Sequence, residues 1–417
     1  MEIKDLYDIF LHSAGVCTDT RTLRKNQLFF ALKGENFDGN RFALQALEKG
    51  ASYAVAGEDL QADDPRLIKV PDTLEALKAL AACHRRQLRI PVIGLTGTNG
   101  KTTTKELIKT ALGAAYRVSA TEGNLNNEIG VPLTVLRIGP RAQLAIVEMG
   151  ASHPEDLKPL LAVAQPNLGL ITNVGKAHLL GFGSFEGVKH AKGLLYDYLK
   201  EHDGVVFANA DDPVLQEMLA ERGIEAIGYS KEGVKVKANP FLELQWDDVT
   251  LKTQLVGAYN AANVLAALRM AWYFDVPQDD ALQAIASYTP SNNRSQLVKT
   301  DKNILIVDAY NANPSSMAVA LDNLAQMPGR KVALLGDMRE LGADAAQEHN
   351  RIVERLQGAE AYLVGEEFTR AAAGKPYKTF ATSEDLAKYL EENPLTGCTV
   401  LVKGSRGTQM EKAIPSL

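Results

Sequence analysis

Short apolar runs alternate with amphipathic stretches along most of this chain, a spacing that predicts layered α/β structure. Leu28–Leu32 and Tyr53–Ala56 read as strands, with a helix over Phe42–Lys49 between them. Val92–Thr96, Leu144–Glu148, Leu168–Thr172 and Val205–Ala208 read as a second set of strands, separated by helical patterns such as Lys101–Leu112 and Gly187–Lys200. A third set, Ile304–Asp308, Val332–Leu335, Ala361–Val364 and Thr399–Lys403, alternates with helices over Pro314–Ala325, Gln347–Leu356 and Ser383–Leu390. Strands that alternate with helices imply parallel or mixed sheets covered on both faces. The expected architecture is α/β in three domains: a small one over 1–84, a central one over 85–295 and a doubly wound one over 296–417.

Length and composition fit that division. A chain of 417 residues has room for two to four domains at roughly 100–200 residues each. The 46% hydrophobic and 23% charged fractions are ordinary for a globular protein and allow several cores. The formal net charge of −6 argues against non-specific binding to nucleic acid or anionic membrane, yet leaves room for a locally bound phosphate. Cys17, Cys83 and Cys398 lie far apart with no CxxC pair, so neither a disulfide framework nor a zinc site is expected. The first residues lack the apolar core of a leader, and no run approaches the ~20 apolar residues of a membrane span. A reducing, cytoplasmic setting is the expectation.

The sharpest chemical signal is Gly97-Thr98-Asn99-Gly100-Lys101-Thr102-Thr103. It leaves a strand and opens a helix, the setting in which backbone N–H groups and a helix N-terminus cradle phosphate. Lys101 supplies a full charge for the outer phosphates, and Thr102 a hydroxyl for Mg²⁺. Its match to the phosphate-loop pattern is imperfect, since Leu95 stands five residues before Gly100. Glu148 closes an apolar strand, where ligands of open α/β sheets gather, and suits Mg²⁺ beside the loop. Read from the residues alone, His178 is a loop histidine and Lys192 a solvated helix lysine. Asn124-Leu125-Asn126-Asn127 offers clustered amides for sugar or peptide groups, or simply a turn. Asn260 and Asn263 share a helix face and either read a base or cap the helix. Asp308, followed by Tyr310 and Asn311, either meets a ribose or caps a helix. Gly181-Phe182-Gly183-Ser184-Phe185-Glu186-Gly187 is a poor dinucleotide fingerprint, its last glycine one place late.

Taken together with Asp19-Thr20-Arg21, Phe37-Asp38-Gly39, Glu148-Met149-Gly150, Ala191-Lys192-Gly193 and Leu335-Gly336-Asp337-Met338-Arg339-Glu340-Leu341-Gly342, these segments resemble the Mur ligase family. The Asn-Leu-Asn-Asn, Asp-x-Tyr-Asn-Ala-Asn-Pro and Gly-Asp-Met segments resemble its members that add D-alanyl-D-alanine. Leu194 and Ser295 depart from the usual residues of the family. The resemblance implies an ATPase domain between a UDP-sugar-binding N-terminal domain and a Rossmann-like C-terminal one. ATP would be the co-substrate, and UDP-N-acetylmuramoyl-tripeptide and D-alanyl-D-alanine the partners of a monomeric ligase. It implies that Lys101, Thr102, Glu148 and His178 serve the triphosphate and Mg²⁺, and that Lys192 is carbamylated to hold a second ion. By the same resemblance Asn260 and Asn263 lie near adenine, Arg294 near the phosphates, and Asp308, Tyr310 and Asn311 near the ribose. Thr20, Arg21, Asp38 and Gly39 line the uridine end, and Asn124 to Asn127 the sugar-peptide end. Lys403, Ser405 and Arg406 would help close the cleft.

Overall fold

In a computed structural model, which describes residues 2–34, 37–290, 294, 296–356 and 359–417, the chain forms three successive α/β layers. The first has four parallel strands in the order Val16–Cys17, Leu28–Phe30, Tyr53–Gly57, Leu67–Val70. All three residues of Leu28–Phe30 are buried, which explains its uninterrupted apolar pattern.

The helix Thr73–Gln87 begins under an Asp72 cap whose side chain accepts from the Leu74 and Glu75 N–H groups. Its apolar face, Leu77, Leu80 and Ala81, belongs to one core with Leu28 and Phe30 on one side and Leu133, Leu160 and Leu161 on the other. Near its end Arg85 donates to the carbonyls of Ala164 and Gln165 at 2.9–3.2 Å. The expected break after His84 therefore falls inside this helix, which ties the first layer to the second.

The central layer is a six-stranded, wholly parallel sheet with Val92–Thr96 inside it, flanked by Leu168–Ile171 and Leu144–Glu148. Every residue of Val92–Thr96 and Leu144–Glu148 is buried, as strands covered on both faces require. Beside it stands a three-stranded antiparallel sheet, Lys235–Ala238, Phe241–Trp246 and Val249–Val256, which the pattern analysis does not anticipate. Its two-residue links leave no room for helices, so alternation is lost there. The expected close of this domain, around 291–295, lies outside the described residues except for Arg294.

The third layer has six strands, ordered Gln296–Lys299, Ile304–Asp308, Cys398–Lys403, Arg330–Gly336, Glu360–Val364, Lys378–Phe380. All neighbours pair in parallel except the first two. It is the doubly wound arrangement expected from the alternation. Among the described residues no helix is long and apolar enough to cross a membrane.

Candidate functional site

The central and third sheets turn their carboxyl ends toward one cavity of about 850 Å³, a size typical of small-molecule sites. The loop after Val92–Thr96 forms its floor. Gly97 takes φ +141°, and a Cβ there would sit 2.0 Å from Thr172 Oγ1, so only glycine fits. Gly100, at φ +78°, caps the helix Lys101–Leu112.

Asn99 is gripped from the neighbouring strand. Its N–H donates to Asn173 Oδ1 at 3.0 Å, and its carbonyl accepts from Thr172 Oγ1 at 2.7 Å and Asn173 Nδ2 at 2.9 Å. The Thr98 N–H is likewise used, donating to the Asn173 carbonyl at 2.9 Å, so the loop is preformed and it is the positive N-terminal end of the following helix that favours an anion. Lys101 folds over it, donating to the carbonyls of Gly97 and Thr98 at 2.8 and 3.1 Å. Burial lowers its pKa, and nearby Glu148 opposes that shift.

Thr102 Oγ1 donates to both Glu148 oxygens at 3.0 and 3.2 Å. Asn126 Nδ2 donates to Glu148 Oε1 at 2.8 Å, and the Glu148 N–H reaches Thr121 Oγ1 at 2.9 Å. A hydroxyl beside a buried carboxylate is a small donor set, with no cage of three His, Cys, Asp or Glu side chains among the described residues. That suits Mg²⁺ arriving on a polyphosphate, since this ion keeps waters and takes few protein ligands.

The third domain closes the opposite wall. Asp308 pairs with buried Lys403 at 2.5 Å, and Lys403 also donates to the Asn311 carbonyl at 3.1 Å. The Arg294 guanidinium lies 3.7 Å from the Tyr310 ring centroid. Asp308, Tyr310, Asn311 and Arg294 all line the cavity, as do Asn260 and Asn263. The two asparagines use much of their amide capacity inward. Asn263 accepts from Thr104 Oγ1 and donates to Asn260 Oδ1, and Asn260 donates to the Val256 carbonyl. In this state they brace the loop's helix.

A second edge carries His178 and Lys192. His178 sits at φ +52° ahead of the turn Leu179–Phe182, with Nδ1 against the Glu340 carboxylate. Burial lowers its pKa while Glu340 opposes the shift. Lys192 is only 2% exposed, which corrects its reading as a solvated helix lysine. The helix Phe185–Glu201 buries nine of its residues, and position 192 faces inward against Phe182 and Ala151. Its Nζ donates to the Ala151 carbonyl at 3.1 Å, and burial first, then Lys101, drive its pKa well below the lysine range.

Comparison with known proteins decides what this architecture is. Three family models match in succession: "Mur ligase family, catalytic domain" over 12–85, "Mur ligase middle domain" over 95–271 and "Mur ligase, glutamate ligase domain" over 293–406. The UDP-N-acetylmuramoyl-tripeptide–D-alanyl-D-alanine ligase of Bacillus subtilis is 35% identical, covering 97% of this chain and 93% of its own. The chain belongs to the Mur ligase family. The Escherichia coli ligase of the same name is 34% identical with the same coverage. MurF from Acinetobacter baumannii superposes with a TM-score of 0.86 at 30% identity, covering 96% of this chain and 92% of that one. MurF ligase from Thermotoga maritima, solved in complex with ADP, gives 0.86 at 28% identity, with 97% of each chain covered. As a Mur ligase, this protein is an ATP-dependent, ADP-forming enzyme.

Not every expected site residue of this Mur ligase meets at the cavity. Thr20, Arg21, Asp38 and Gly39 lie on the first layer and line neither this cavity nor its neighbour of about 540 Å³. Arg21 is exposed and pairs with Asp19, its hydrogen bonds holding that carboxyl at about 2. Asp38 accepts from the Asn40 N–H, and a Cβ on Gly39 would meet Leu32 O at 2.4 Å. Asn124 lines the smaller cavity, Asn126 and Asn127 the larger one. Asn127 Oδ1 also caps the helix Gly130–Leu136, accepting from Ile129 and Gly130 N–H. Leu125 packs its backbone where a Cβ on Gly130 would lie.

Sequence reasoning missed Asn173, which shapes the phosphate loop, and Thr121, which holds the Glu148 backbone. The segment that holds Asn313 was singled out, but that residue was given no role of its own; its Nδ2 donates to Asn99 Oδ1 at 2.7 Å from the third domain. Asn173 stands just past a strand's carboxyl end, the one signal that could have singled it out.

Proposed function

We propose that this protein joins D-alanyl-D-alanine to UDP-N-acetylmuramoyl-tripeptide, forming the pentapeptide precursor of the bacterial cell wall in the cytoplasm. One observation carries the reading: near-full-length similarity to ligases of that name coincides with a phosphate loop and a buried carboxylate that open on a shared interdomain cavity. The three successive α/β layers then divide the labour among UDP-sugar, ATP and ligation.

The chemistry follows from the residues. A carboxylate is a poor electrophile, so the γ-phosphoryl group of ATP passes to the tripeptide carboxylate and gives an acyl phosphate plus ADP. The free amine of D-alanyl-D-alanine attacks that carbonyl, and collapse of the tetrahedral adduct expels phosphate. Lys101 exchanges the Gly97 and Thr98 carbonyls for phosphate oxygens and offsets charge that would otherwise repel the incoming carboxylate. Thr102 and Glu148 would hold Mg²⁺, which supplies further charge neutralisation. The third domain covers the cavity and keeps water from the acyl phosphate.

Lys192 fits carbamylation. Attack on CO₂ needs the neutral amine, and burial, reinforced by Lys101 and opposed only in part by Asp156, favours that form. The carbamate, formed with loss of one proton, would join His178 around a second Mg²⁺. Without it, an amine and an imidazole make an incomplete oxygen donor set.

The deciding assay measures phosphate release from ATP with UDP-N-acetylmuramoyl-tripeptide, with and without D-alanyl-D-alanine. Release that needs both substrates is expected. Release that follows L-lysine, diaminopimelate or glutamate instead would transfer the protein to another branch of the family.

A further inference from the structure

The segment Gly336-Asp337-Met338-Arg339-Glu340-Leu341-Gly342 stands out in the sequence, yet the chemistry above gives it no task. In the structure it is an unusually well-fixed loop. Asp337 accepts from the Glu367 and Phe368 N–H groups at 3.1 and 2.9 Å, and its own N–H donates to the Val364 carbonyl at 2.9 Å. The Met338 N–H donates to buried His349 Nε2 at 3.0 Å, and the Arg339 N–H to Ser405 Oγ at 2.8 Å. Three consecutive residues are therefore tied to three different elements of the third domain.

What this anchoring presents is Glu340. Its backbone lies at φ +64°, a region non-glycine residues seldom occupy without a reason. Its carbonyl accepts from the Leu180 N–H of the central domain at 3.2 Å. Gly342, at φ +59°, places its Cα where a Cβ would come within 3.3 Å of Leu180. The Glu340 carboxylate meets His178 Nδ1, and His178 is itself at φ +52°. Two strained residues from two domains thus face one another. Close by, Lys176 pairs with buried Glu348 of the third domain at 3.1 Å.

We propose that Glu340 is a positioning residue for His178: by occupying Nδ1 it fixes the ring, and it leaves Nε2 as the nitrogen available to the cavity. The Glu340 side chain is 59% exposed, so the pairing adds little stability. Its consequence is orientation. A carboxylate on one ring nitrogen sets the tautomer and direction of the other. Because the carboxylate comes from the third domain, His178 is aligned only when that domain is docked. The catalytic part of the inference rests on the ligase reading; the tautomer does not.

The test uses Glu340→Ala and Glu340→Gln in the full chain. Glu340→Ala is expected to lower kcat by about 10- to 100-fold with KM for ATP unchanged, and Glu340→Gln, which still accepts a hydrogen bond, to recover most of that loss. Nitrogen-15 NMR of the histidine side chains, on metal-free protein at about pH 8, where an ordinary imidazole is neutral, reads the tautomer directly. The His178 signal is identified by its loss in His178→Asn. It is expected as Nδ1–H in the wild type and as Nε2–H in Glu340→Ala. An unchanged kcat in Glu340→Ala, equal impairment of the two variants, or Nε2–H in the wild type would each overturn the proposal. A wild type that ignores D-alanyl-D-alanine would defeat the substrate reading, while the NMR measurement would still decide the role of Glu340.

Discussion

The phosphate-loop edge of the cavity and the His178–Lys192 edge are built on opposite plans. Along the first, Glu148 receives Thr102 and Asn126, and Asn99 is held at its N–H, its carbonyl and its side chain. Along the second, buried Lys192 has a single carbonyl acceptor among the described residues, and His178 is met only at Nδ1, by Glu340. Buried polar groups are normally satisfied, because leaving one unpaired costs about 1–3 kcal/mol. A saturated edge is complete before ligand arrives. An undersatisfied edge next to a saturated one marks where chemistry from outside the chain is to be added. The contrast is what the proposed carbamylation of Lys192 would account for, while Lys101 needs no modification to meet phosphate.

The largest effect that could break this contrast is expected at Lys101. Lys101→Ala should lower ATP-dependent ligation by roughly 10³-fold, the scale of losing a preorganised charge at a reacting phosphate. The loop's shape is set by Gly97, Asn99 and Asn173, not by the lysine, so the thermal midpoint should stay within about 3 °C. Phosphate-release assays and calorimetry read the two quantities. Full turnover in this variant would mean that the loop is no phosphate site.

Lys192→Ala should come next, with activity down about 10²-fold, and it should part from Lys101→Ala in one respect. Short carboxylates such as formate or acetate would stand in for the anion of a carbamate, so they should restore part of the rate. The same acids should do nothing for Lys101→Ala, where the missing charge is positive. Rescue of both variants, or of neither, would erase the distinction between the two edges.

How much of this was legible in the sequence follows from the same contrast. The phosphate loop is local: glycines, lysine and threonine sit within seven residues, between a strand and a helix that announce themselves by period. Glu148 was legible because it ends an apolar strand. The burial of Lys192 was not, because it depends on Phe182 and Ala151 reaching it from other segments. The pairs that join the domains, Asn99 with Asn313 and His178 with Glu340, connect residues far apart in the chain, and no spacing rule relates them. The antiparallel strands Lys235–Val256 do alternate between inward and outward positions, but they follow one another without helices, so the strand–helix alternation that marks the rest of the chain does not mark them. At the expected uridine end the motif letters are plain, yet Asp38 and Gly39 also have structural duties that explain their presence.

The smallest expected effect sharpens the account of the saturated edge. Asn313 does two things at once: its Oδ1 accepts from the Ser316 N–H and caps the helix Pro314–Gln326, while its Nδ2 reaches Asn99. Serine caps a helix about as well as asparagine but has no second arm to cross the domain boundary. Asn313→Ser should therefore leave stability within about 0.5 kcal/mol while removing a side-chain bond from the third domain to the phosphate loop. If that bond holds the loop ready for nucleotide, KM for ATP should rise a few-fold, a change of about 1 kcal/mol or less, with kcat little altered. Urea denaturation checks the first quantity and steady-state kinetics the second. An unchanged KM beside an intact helix would show that the loop is held by Asn173 and Thr172 alone, and that the saturated edge is complete within the central domain.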